Sequence, residues 1–121
     1  MNKKFSLQQS PFLVPTTDGK YIAEHFGKAT DGNDQLSVAH MVAPPGWIEP
    51  AQTPEFDEYT LVVKGKKQVV VDGETIILNA GESIKIYKNT KVHYSNPFEA
   101  PCEYISVCMP AFSLGQANRD E

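Results

Sequence analysis

Histidine is scarce in this chain, with three copies, cysteine scarcer with two, and tryptophan occurs once. Long apolar runs are missing altogether. Nothing approaches the roughly 18 consecutive apolar residues that a membrane-spanning helix needs. The opening MNKKFSLQQSPFLVP is broken by Gln8, Gln9, Ser10 and Pro11 before it reaches signal-peptide length, so a cytoplasmic protein is expected. No window of about eleven residues or more carries a 3.6-residue period, which excludes a helical bundle. A basic face is also lacking. The formal net charge is −4, and the lysines are dispersed apart from the run Lys64-Gly-Lys-Lys67, read as a solvated hairpin tip. Binding to nucleic acid or to an anionic membrane is therefore not expected. The cysteines, Cys102 and Cys108, fall six apart on one apparent strand. At about 3.3 Å per residue they stand roughly 20 Å apart, too far for a disulfide, and read as reduced packing residues.

What is present is a succession of short strand signals in 121 residues, enough for a single domain. Tyr21–Phe26 follows an Asp18-Gly19 turn, and Leu36–Val42 runs until Ala43-Pro-Pro-Gly46 stops it. Glu58–Val63, Gln68–Val71, Glu74–Leu78, Ser83–Ile86, Val92–Ser95 and Glu103–Met109 complete the series. Asp72-Gly73 is a two-residue hairpin turn, because that pair favours positive φ. Some eight strands at this spacing, with nine prolines and eight glycines between them, imply an all-β sandwich or barrel. Glu58–Val63, Val69–Val71 and Ile76–Leu78 are apolar on both faces, whereas a barrel has one interior. Their outer faces need a cover, either the N-terminal segment or a second copy, so a homodimer is expected.

Within this frame the stretch GWIEPAQTPEFDEYTLVVKG, Gly46 to Gly65, carries a spacing of its own. It resembles the first motif of the cupins: a glycine, five residues, His-x-His, three or four residues, a glutamate, six residues and a glycine. Gly46, Glu58 and Gly65 match without gaps, but Gln52 and Pro54 stand at the two histidine positions. The second motif, a glycine, five residues, Pro-x-Gly, two residues, His, three residues and Asn, is approximated from Gly81. Tyr87 and Asn89 replace its proline and glycine, His93 falls one residue late, and Asn96 closes the run. The resemblance spans about residues 36–110 and implies a cupin-type double-stranded β-helix, a jelly-roll barrel. Residues 1–35 would add N-terminal strands and turns, and 111–121 a tail.

Cupins hold one divalent metal with their motif histidines and glutamate. The resemblance implies Gln52, Glu58 and His93 as ligands here, because Pro54 has no donor atom. A neutral amide, one carboxylate and one imidazole make a weak site for iron, manganese or zinc. Glu49 would join them only if a bulge near Pro50 turned it inward, since strand parity places it opposite residues 48, 50, 52 and 54. His40 shares a face with Leu36, Val38 and Val42, which reads as interior, with Glu58 as its partner. His25, Glu55 and Asp57 read as exposed or rim positions, and Trp47 and Tyr87 as packing aromatics. Three functions follow as expectations. One is a metal-dependent enzyme on a small organic substrate, with Glu58 and His93 at the ion and His40 moving protons. Another is a metal-free acid/base isomerase or lyase using Glu58 and a histidine. The last is a barrel that binds a small ligand without turnover.

Overall fold

The computed structural model describes residues 3–120. Its strands are β1 (Phe12–Leu13), β2 (Tyr21–Phe26), β3 (Ser37–Ala43), β4 (Asp57–Lys64), β5 (Lys66–Val71), β6 (Glu74–Asn79), β7 (Ser83–Ile86), β8 (Val92–Ser95) and β9 (Cys102–Met109). A one-turn helix α1 (Leu114–Ala117) follows, capped by the Ser113 side chain accepting from the Gln116 amide. One sheet has the order β1-β2-β3-β9-β4-β7 and faces a smaller sheet β6-β5-β8; all pairs are antiparallel. Bridges from Ile48 to Ser95 and from Gln52 to Val92 lay residues 48–52 along the free edge of β8.

The turns follow their residues. Asp72 and Gly73 both take positive φ, as a two-residue hairpin requires, and Asn89 takes it at the motif's glycine position. Gly65 is the whole connection between β4 in one sheet and β5 in the other. It has φ of 82°, and a Cβ there would collide with the Pro101 carbonyl oxygen, so only glycine fits. The two motifs also meet physically. The Gly46 amide donates to the Asn96 carbonyl at 2.7 Å, while the buried Asn96 side chain donates to the carbonyls of Ala43, Pro44 and Ala100.

Between the sheets Trp47, Val62, Val69, Leu78, Ile86, Val92, Tyr94 and Tyr104 form the main core. Each fully buried Val or Leu contributes about 1.5–3 kcal/mol. A second cluster joins Phe56, Cys108 and Ala117, with Phe112 edge-on to Phe56 at 5.6 Å. Both cysteines are free, as their spacing predicts, and both are buried on the inner face of β9.

Four expectations change. His40 lies on the outer face of β3, where its Nε2 meets Glu103 Oε2 at 2.8 Å and its ring meets Tyr21 edge-on. The inner face of that strand is Ser37, Ala39, Met41 and Ala43, where a serine and two alanines leave room for a cavity, so the bulkier branched valines beside His40 lie on the outer face. His93 also points outward. Counted without a gap from Gly81, the motif's histidine position is Val92, which is buried in the core, and a slip of one residue on a strand reverses the face. Lys67 is not on a solvated tip, because Gly65 crosses between sheets and β5 turns Lys67 inward beside Val69, at 2% exposure. Finally, Ile48 to Gln52 advances four residues while the partner strand advances from Ser95 to Val92, three. That extra residue is a bulge at Pro50-Ala51, and Glu49 does reach the interior cavity.

Candidate functional site

A cavity of about 380 Å³ opens between the sheets. Its floor is Glu58, whose place on β4 alternates inward with Thr60 and Val62. The Tyr94 hydroxyl donates to one carboxylate oxygen at 2.9 Å, and the Ser106 hydroxyl donates to the other at 2.6 Å. Tyr94 comes from β8 and Ser106 from β9, so three strands fix one carboxylate. A buried carboxylate needs such partners.

Two buried lysines share the space. Lys67 Nζ stands 3.5 Å from the centroid of the Tyr104 ring and 4.2 Å from that of Tyr94. Lys20, placed by the Asp18-Gly19 turn, puts Nζ 4.2 Å from the Trp47 ring and 5.4 Å from the same Tyr104 ring. Among the described residues neither ammonium has a salt-bridge partner within 4.0 Å. Burial pushes Lys67 down to about 7; the Lys20 charge adds to this, and Glu58 and Glu49 oppose it. Burial also lowers Lys20, against the same two carboxylates. Desolvation raises Asp18, but the Trp47 indole donating at 2.7 Å and the Lys20 amide outweigh it and leave the carboxyl below its ordinary value.

Burial, reinforced by nearby carboxylates, holds the Tyr94 and Tyr104 hydroxyls well above the usual tyrosine range, so both stay protonated. Tyr94 donates to Glu58. Among the described residues the buried Tyr104 hydroxyl has no hydrogen-bond partner. Cys108 is likewise raised by burial and by Glu58, which keeps its thiol protonated and inert as a nucleophile.

The C-terminal segment closes one wall. Asp120 N donates to Ala51 O at 2.7 Å, and Arg119 donates to Gln52 Oε1 at 3.0 Å and to Glu49 Oε2 at 3.4 Å. Of the expected metal ligands, Glu58 and Gln52 line the cavity and His93 does not. Among the described residues no three His, Cys, Asp or Glu side chains converge as a metal-binding group. The Gln52 oxygen is engaged by a guanidinium, and two lysines occupy the same cavity, so the Gln52, Glu58 and His93 set does not fit a divalent ion.

Lys20, Lys67, Tyr94, Tyr104, Ser106 and Arg119 were not among the candidates from sequence. Parity held a signal for several of them. Ser106 alternates with Cys102, Tyr104 and Cys108, and Lys67 alternates with Val69, each a polar group on an inward face. Arg119 and Lys20 come from irregular segments and carry no such signal.

Two facing antiparallel sheets around a polar, partly charged interior cavity define the class: a small β-barrel with an internal cavity. The chain belongs to the cupin family, whose domain model matches residues 39–108. A variant of Streptomyces PAC13, solved with uridine, superposes with a TM-score of 0.76 at 15% identity, covering 99% of this chain and 92% of that one. An RmlC-like cupin from Shewanella frigidimarina gives 0.68 at 19% identity, covering 91% and 93%. At these identities the likeness is one of fold. A Myxococcus xanthus protein named endoribonuclease YbeY is 48% identical over 100 residues, which is 83% of this chain and 34% of that protein. The chain therefore spans about a third of that curated relative. No helix among the described residues is long and apolar enough to cross a membrane.

Proposed function

We propose that the cavity binds a small organic molecule bearing a carbonyl group and moves a proton at the carbon beside it, without a metal. The observation that carries this reading is Glu58, held by Tyr94 and Ser106 and sharing its cavity with two buried lysines. Glu58 is the base that takes the proton. The Lys20 ammonium is the donor that favours the negative charge developing on the carbonyl oxygen. Returning the proton to another carbon is an isomerisation; loss of a leaving group is a lyase reaction. The histidine expected from sequence is thus replaced by lysine. RNA cleavage is not carried over from the longer Myxococcus protein, because a net charge of −4 and a 380 Å³ cavity suit a small molecule better than a polynucleotide.

Uridine, present in the Streptomyces structure, is the first probe, followed by small aldehydes and ketones in titration calorimetry. Compounds that bind are then held in D2O with the protein and followed by NMR. The reading expects deuterium to enter next to the carbonyl, and Glu58→Gln to cut that rate about 10²–10⁴-fold while binding persists. Exchange unchanged in Glu58→Gln, or no saturable ligand in the panel, would overturn it.

A second copy is proposed to cover the outer face of the six-stranded sheet. There Tyr59, Leu61 and Val63 are 37%, 45% and 49% exposed in the single chain, beside half-buried Ile105 and Val107. Strand β1 pairs with the edge of β2 and leaves this patch open. Two free, buried cysteines suit a reducing cytoplasm.

A further inference from the structure

We infer that Lys67 forms an imine with a small aldehyde or ketone admitted to the cavity. The inference rests on the reading of the cavity as a small-molecule site and goes beyond proton transfer by assigning a covalent step. Lys67 is buried on β5, with its ammonium packed on the faces of Tyr104 and Tyr94 rather than in a salt bridge. Burial away from water beside a second cation favours a neutral, nucleophilic amine, against the pull of the ring faces on the ammonium. Lys20 is that second cation, standing against the same Tyr104 ring.

The step balances within the site. The Lys67 nitrogen lone pair forms the C–N bond while the carbonyl π pair moves to oxygen, and a proton passes from nitrogen to that oxygen. A second proton, from the Lys20 ammonium, lets the hydroxyl leave as water. The product is an iminium ion, with Glu58 as the carboxylate that offsets its charge.

The test is reductive trapping of the intact protein with glycolaldehyde and cyanoborohydride at neutral pH, followed by peptide mapping. Ordinary exposed lysines are almost wholly protonated there. The inference expects Lys67 to be modified at least about tenfold faster than the exposed lysines, and Lys20→Met to slow it. Lys67→Arg keeps the charge and should leave the mapped modification only at the slow surface sites, its fold checked by circular dichroism. Modification of Lys67 no faster than at surface lysines would overturn the inference. If deuterium exchange dependent on Glu58 persisted in that case, the proton-transfer reading would stand and only the imine would fall. If neither occurred, both would fall.

Discussion

Replacing Lys67 by methionine should make the protein more stable at neutral pH and should remove part of its pH dependence. The side chain is 2% exposed, and burial pushes it from 10.5 to about 7. The folded state therefore binds its proton less tightly than the unfolded chain. Below about pH 7 both states are charged and the cost of burial is fully present. As pH rises from about 7 towards 10.5 the folded group is neutral while the unfolded one still binds a proton, so stability rises. A shift of this size corresponds to about 5 kcal/mol at 1.36 kcal/mol per unit, an order-of-magnitude figure. The attraction of the ammonium to the Tyr104 and Tyr94 rings, about 2 kcal/mol or more when desolvated, offsets part of the gain from removing it. Methionine matches the length, packs against aromatic rings and brings no charge.

Urea unfolding at two pH values measures the effect. From about pH 7 to about pH 9, Lys67 alone should add about 2 kcal/mol to the wild-type stability. Lys20, Glu49, Glu58 and Cys102, whose charges act on this position, and Tyr94 and Tyr104, whose rings it stacks on, remain in the variant. Their contributions largely cancel in the difference between wild type and Lys67→Met. Parallel pH profiles for the two proteins, or a variant less stable at pH 7 with an unchanged slope, would refute the reasoning.

Gly65→Ala should lose about 2 kcal/mol or more in chemical unfolding, because it combines a positive φ with a clash against backbone at Pro101. Glu58→Ala leaves the buried Tyr94 and Ser106 hydroxyls without their acceptor, and a loss of about 1–3 kcal/mol is expected by the same measurement. Arg119→Ala frees Gln52 and Glu49 and loosens the C-terminal segment, so amide hydrogen exchange should rise at Gln52 and Asp120 with β5 and β6 unaffected. Light scattering after gel filtration should find a dimer, and Leu61→Asp on the exposed face should shift it to monomer; a monomeric wild type would contradict the proposed interface.

Much of the frame was legible because strand and turn chemistry are local. Tyr21–Phe26, Ser83–Ile86 and Val92–Ser95 fall where alternation and turn residues predicted, and Asp72-Gly73 makes its hairpin. Glu58 was legible through spacing and parity together. The histidines misled for a reason specific to cavities. On β3 a serine and two alanines face inward to leave room while the branched valines face outward, so the valines marked the outside, and His40 meets Glu103 there rather than Glu58. At His93 a single-residue offset from the motif meant the opposite face. Lys67 was hidden by its neighbours: Lys64 and Lys66 are exposed, and only the sheet crossing at Gly65 separates their fate from its own. Arg119 reaches the site through tertiary contacts about seventy residues apart in sequence from Glu49, which no local pattern carries.

The most direct test of the account compares Glu58→Gln with His93→Ala in the deuterium-exchange assay, using a carbonyl ligand that binds the wild type. If the cavity chemistry runs on Glu58 with lysine partners, His93→Ala keeps the wild-type exchange rate and Glu58→Gln loses about two orders of magnitude or more. Loss of exchange in His93→Ala to the same extent, with Glu58→Gln still active, would contradict it.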